Sequence, residues 1–219
     1  MKSGPFIKLV SASYKVEEKT VTMYARLLKN AGLFSMGARG INAPDMTPLD
    51  SARITIALLA TDRPARCVER VRRFGALRYQ PTRSQGPHPA ALGICEGVTL
   101  EAVLAHMFCA ELGSEESWSF SAPYIELQEN ARSAKIEHKG GFVIFKDDFR
   151  TEGQKNDDAS ELFGIRRSRG VASFELMNLY VPLYVEMRDG MSWAEAPTRM
   201  QALNALMAPL VIKPSKGSE

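Results

Sequence analysis

Between positions 19 and 29 the chain sets out Lys19, Thr20, Thr22, Met23, Arg26 and Lys29, with no carboxylate among them. A guanidinium forks onto two acceptors at once, an ammonium neutralises a phosphate as a point charge, and hydroxyls donate or accept. Met23 adds a soft apolar tip. Such a set can grip an anionic, acceptor-rich surface; it holds no nucleophile and base with which to break a bond. Arginine thickens further along, where seven arginines between positions 62 and 88 meet only Asp62 and Glu69 as carboxylates. Arg63, Arg66 and Arg70 open that run and are candidate phosphate clamps. The same arginines would equally serve as a solvated helix face, or dock an acidic part of the same protein. Arg39 is the one charge in the loop that separates the two basic runs.

Bond-making chemistry finds little support. There is no Walker-type glycine loop followed by Lys-Ser/Thr, no G-x-G-x-x-G after a strand, no H-E-x-x-H and no G-x-S-x-G elbow. His106 and Cys109 lie three apart on one expected helix, but no second ligand pair accompanies them, so burial in an apolar helix is the expectation. Asp147-Asp148 and Asp157-Asp158 are acidic pairs without a third spaced carboxylate to share a divalent ion. No catalytic residue, metal or cofactor is expected, and the chain does not read as an enzyme. Cys67, Cys95 and Cys109 form no C-x-x-C, and an odd count does not suit a disulfide framework.

The 219 residues are 45% hydrophobic and 24% charged, ordinary values for one or two globular domains. The net charge of +3 conceals an asymmetry: residues 1–110 hold 15 lysines and arginines against 8 carboxylates, and residues 111–219 hold 13 against 17. A basic half joined to an acidic half suggests a polyanion-facing module and a separate assembly or partner module. No apolar run approaches the ~18–20 residues that cross a bilayer. The opening Met-Lys-Ser-Gly-Pro-Phe lacks the apolar core of a secretory signal, so a cytoplasmic location without membrane contact is expected.

The elements that would carry the basic face follow from periodicity. Val21, Tyr24, Ala25 and Leu28 recur at i, i+3, i+4 and i+7, one apolar stripe of a helix beginning near Thr20, and Gly32 suits its end. Phe6–Tyr14 reads as a short helix before it, with Lys15–Glu18 as the turn. The stretch 35–44, with two glycines and a proline, forbids a helix and reads as a short wing or a surface loop. Thr47, Pro48 and Asp50 fit N-cap, N1 and N3 of a helix running to about Ala60, apolar enough to be the hub on which the first two helices pack. Asp62 is then expected to cap a helix from Arg63 to about Phe74.

The string T-V-T-M-Y-A-R-L-L-K-N-A-G-L-F resembles the recognition helix of MarR-like regulators, and the Met-Thr-Pro after the loop resembles the Leu-Thr-Pro that ends their wing. The motif's position at the N-terminus, with a Thr-x-x-Asp helix after the wing, is similar to MerR-type regulators. Residues 7–60 therefore resemble a winged helix-turn-helix. That resemblance implies double-stranded DNA as partner, a homodimer, and transcriptional regulation. The combination with an unfamiliar second module is similar to proteins carried by prophages. On this reading Thr20, Thr22, Met23 and Arg26 address bases, and Lys19, Lys29, Arg39 and the arginine run address phosphates. The alternative is a structural or packaging part of a phage-like particle, or a protein-interaction adaptor, without sequence-specific contact to DNA.

The expected fold class is α+β: an N-terminal winged helix-turn-helix with a basic helical extension (residues 1–80), a linker rich in proline and glycine (81–98), and an α+β module for oligomerisation or partner binding (99–219). In that module Thr99 opens a helix to about Leu112. The period then changes to two through Trp118–Ser121, Tyr124–Gln128, Ser133–His138 and Phe142–Lys146, a small antiparallel meander with Gly140-Gly141 as a two-residue turn. The basic cluster around Arg166–Arg169 reads as an edge strand or loop. Apolar helices over 171–180 and 193–207 would complete the core or a dimer seam.

Overall fold

Phe6, Leu9, Val10 and Ser13 are buried at i, i+3, i+4 and i+7, and they bind the first helix, α1 (Ser3–Tyr14), to the rest of the protein. The computed structural model describes residues 1–35, 44–88, 92–109, 124–128, 132–147, 168–171 and 179. Helix α1 stops where Lys15 turns into the left-handed region (φ 53°). Ser11 fixes that turn from both sides: its carbonyl accepts the Val16 N–H at 3.1 Å, and its hydroxyl donates to Val16 O at 2.6 Å.

Helix α2 (Glu18–Asn30) starts two residues before the expected Thr20. Glu17 O accepts the Thr20 and Val21 N–H groups, at 2.9 and 3.1 Å. A carboxylate in the first turn is favourable because it meets the positive end of the helix dipole. The acidic pair Glu17-Glu18, assigned to the turn by its polarity, therefore belongs to the helix start. At the other end Gly32 takes φ +70° and the Leu33 N–H reaches back to Leu28 O at 2.9 Å, the closure expected of a glycine there.

Helix α3 (Pro48–Ala60) opens on the expected capping box, with Thr47 as N-cap, Pro48 at N1 and Asp50 at N3. It is the hub. It packs on α2, on α4 (Cys67–Gly75), on α5 (Leu100–Met107) and on the sheet, and its Thr55 Oγ1 lies 2.7 Å from the Tyr14 hydroxyl of α1. Arg53 of α3 forks onto Glu101 of α5 at 2.9 and 3.1 Å and donates to Leu33 O at 3.1 Å, tying α3, α5 and the end of α2 together.

The helix expected from Arg63 is shorter. Pro64–Arg66 form a single 3₁₀ turn and α4 begins at Cys67. Neither the turn nor α4 has a side-chain cap, and the Thr61 Oγ1 accepts the Arg63 N–H at 3.0 Å just ahead of them. Helix α5 begins as expected, with the Thr99 hydroxyl accepting the Ala102 N–H.

Five strands form one sheet in the order β1 (Arg78–Tyr79), β4 (Gly141–Lys146), β3 (Ser133–His138), β2 (Tyr124–Gln128) and β5 (Ser168–Val171), with every pair antiparallel. The expected meander over 124–146 is its centre. The two-residue turn is Lys139-Gly140 rather than Gly140-Gly141, because His138 pairs directly with Gly141. Within the 77–98 stretch, Leu77 O accepts the Leu100 N–H, Val98 O accepts the Tyr79 N–H, and Gln80 N–H donates to Ile144 O. Among the described residues, α1 to α5 and the three central strands all contribute to one buried apolar cluster, including Val21, Leu28, Ile54, Val103, Ile136 and Phe145. Among the described residues no helix is long and apolar enough to cross a membrane. The stretches expected as a strand at Trp118 and as a helix over 193–207 lie outside the described residues, as does all of 171–180 except Val171 and Leu179.

Candidate nucleic-acid interface

Lys19, Thr22, Met23 and Arg26 repeat the i, i+3, i+4, i+7 spacing of the buried stripe, shifted to the opposite side of α2. All four are exposed. Asn30, at i+4 from Arg26, is exposed and extends the stripe; that spacing is its signal in the sequence. Met23, 43% exposed, is one of two large apolar side chains left open among the described residues. Neither Lys19 nor Arg26 is ion-paired within the described fold. The charge of the stripe is therefore directed outward.

The other candidates on α2 are partly committed elsewhere. Thr20 is half-buried. Thr22 donates its hydroxyl to Glu18 O at 2.8 Å, which leaves its oxygen lone pairs as acceptors toward solvent. Lys29 is half-buried and donates to Ser3 Oγ at 2.9 Å, so it joins α2 to the start of α1.

Two bonds place the arginine run beside α2. The Tyr24 hydroxyl, on a ring only 2% exposed, donates to Thr61 O at 2.6 Å. Arg72 Nη2 donates to Ala31 O at 3.4 Å, holding α4 to the carbonyl end of α2. The Pro64–Arg66 turn packs against α2, and Arg63 and Arg66 on it are exposed without an ion pair among the described residues. Arg70 differs: it is 6% exposed and sits inside the fold with Cys67, Val71 and Phe74 on the inner face of α4. Its position on that face follows from the i, i+3, i+4 spacing with the apolar residues of α4, which the sequence reading assigned to charge alone. Arg72, exposed on the same helix, stands nearer the α2 terminus. Arg39 lies outside the described residues.

The orientation of α2 depends on Tyr24. Tyr24→Phe keeps the packing and removes one buried donor, leaving Thr61 O without it. The expected loss of stability is about 1 kcal/mol, read from the urea midpoint.

One side-chain cluster was invisible in the sequence. Tyr79, His88 and His138 meet although fifty residues separate the two histidines.

A comparison with known protein families, curated proteins and solved structures finds no match to this chain.

Proposed function

We propose that the protein is a DNA-binding regulator of the winged helix-turn-helix kind, in which α1, the turn at Lys15-Val16 and α2 are the reader. The observation that carries this reading is the exposed stripe Lys19, Thr22, Met23, Arg26 on a helix whose opposite side is locked into the core. A rigid helix presenting a guanidinium, a hydroxyl and a thioether in line matches what major-groove edges offer: paired acceptors, single acceptors and the thymine methyl. Arg63 and Arg66, on the turn packed against α2, supply phosphate contacts that set register without reading sequence. Segment 36–43, between α2 and α3, stands where a wing would, and Arg39 is its charge. The protein acts in the cytoplasm as a symmetric dimer assembled through its α+β part, and each protomer reads one half-site.

Selection of bound duplexes from a random pool, with the oligomer mass measured in parallel, tests the reading. The expected result is an enriched palindrome and a dimer, with affinity falling log-linearly as salt rises. A flat pool with no salt dependence would transfer the stripe to a protein partner, with Met23 as the apolar anchor of an adaptor or packaging surface.

A further inference from the structure

His88 ends a strap, residues 84–88, that lies along the β3–β4 hairpin. Gln85 and Phe142 exchange both backbone bonds at 2.9 Å, and the Ile144 N–H donates to Ser84 Oγ at 3.0 Å. The strap touches the hairpin turn so closely that a Cβ on Gly86 (φ +83°) would fall 2.0 Å from Gly140 O. At the strap's end the two rings stand at 85°, with His88 Nδ1 3.2 Å from His138 Nε2. His138 is 7% exposed.

One backbone donor decides where the protons sit. The Gly140 N–H donates to His138 Nδ1 at 3.2 Å, so that nitrogen is bare and the ring carries its proton on Nε2. His138 Nε2–H then donates to His88 Nδ1, and His88 Nε2–H donates to the Tyr79 hydroxyl at 3.3 Å. Each ring nitrogen has one role, and the scheme closes only when both rings are neutral. A metal ion between the rings does not fit. A neutral imidazole bound through His138 Nε2 would carry its proton on Nδ1, pointing at the Gly140 N–H. No group of three His, Cys, Asp or Glu that could hold an ion exists among the described residues.

We propose that His88 and His138 form a proton-operated latch that pins the 84–88 strap to the β3–β4 hairpin when neutral and releases it in mildly acidic conditions. A proton added at His88 Nδ1 opposes the His138 Nε2–H. A proton added at His138 Nδ1 opposes the Gly140 N–H. Among the described residues Tyr79 of β1 is the only other titratable group in hydrogen-bond contact with the pair, the Phe145 ring of β4 packs on Tyr79, and Lys139 on the turn is exposed. Neither ring bonds a carboxylate among the described residues, so none of these compensates the charge. Burial lowers both histidines from their ordinary 6.5, and for His138 the charge on His88 adds to it. Because the folded values lie below the unfolded one, the latch is fully closed above about pH 6.5 and weakens as pH falls through the folded values.

Amide hydrogen exchange and histidine ring shifts, followed by NMR on the full chain from pH 7.5 to 5, test this. Protection at the Gln85, Gly140 and Phe142 amides, corrected for intrinsic exchange, is expected to fall by about tenfold or more along the titration of the two rings. Protection in α2 and α3 should stay constant. The double variant His88→Gln/His138→Gln, in which neither ring titrates, should make protection at those three amides independent of pH. Unchanged protection of the natural chain across the range, or the same pH response in the double variant, overturns the latch.

Discussion

Asp50→Ala is expected to lower the free energy of unfolding by roughly 3–5 kcal/mol, since it strips a buried carboxylate of several charge-assisted bonds at once. Asp50 is 2% exposed. Its Oδ1 accepts the Ser35 N–H at 2.8 Å, and its Oδ2 accepts the Ser35 hydroxyl at 2.7 Å, the Thr47 N–H at 2.7 Å and the Thr47 hydroxyl at 2.8 Å. Alanine leaves two backbone donors and two hydroxyls without their acceptor and removes half of the capping box of α3. The consequence is more than thermodynamic. Ser35 is the exit from α2 and Thr47 the entry to α3, so Asp50 fixes both ends of segment 36–43. Asp50→Asn keeps the volume but sets an amide NH₂ among donors, so it should recover only part of the loss. Urea denaturation with an unchanged slope measures both variants. A loss below about 1 kcal/mol for alanine would mean that the clasp contributes little net stability.

Arg26→Ala should weaken binding to the selected duplex by roughly 1–3 kcal/mol and relax preference at one base pair, the signature of a bidentate guanine contact. Lys19→Ala should weaken all duplexes alike and reduce the slope of log affinity against log salt by about one. The two effects separate because a guanidinium fork reads a pair of acceptors whereas an ammonium reads charge. Both side chains are exposed and unpaired among the described residues, so neither change should move stability by more than about 0.5 kcal/mol. An Arg26→Ala protein that binds the selected duplex with unchanged affinity and preference removes α2 as the reader. A loss shared equally by all sequences makes Arg26 a phosphate contact instead.

Local chemistry made much of this fold legible. Thr47-Pro48-Leu49-Asp50 and Thr99 announced two helix starts because their side chains satisfy donors within three residues. The repeat of Val21, Tyr24, Ala25 and Leu28 announced both the buried and the exposed side of α2, since the two sides of a helix are fixed by one spacing. Alternation of polarity announced β2, β3 and β4. Elsewhere the local signal misled. Glu17-Glu18 looked like turn residues, yet a carboxylate is also what a helix dipole favours at its start. Arg70 looked like surface charge, yet its spacing with Cys67, Val71 and Phe74 carries it inward. The stretch around Pro81 and Gly86 looked like a linker because it is polar and rich in helix breakers. Yet the Gln80 and Gln85 N–H groups and the Gln85 carbonyl pair with β4, a partner about sixty residues away.

The sequence by itself determined where α1, α2, α3, α5, β2, β3 and β4 begin to within about three residues, which side of α2 faces solvent, and that this side is basic. These follow from interactions within a few residues along the chain. Only the tertiary structure decided that Tyr24 and Arg72 hold the arginine segment beside α2, that Asp50 clasps Ser35 to Thr47, and that His88 meets His138. Each of those is a contact closed across a loop of more than ten residues. Composition and periodicity carry no record of such a contact, because its energy depends on where the remaining chain places both partners.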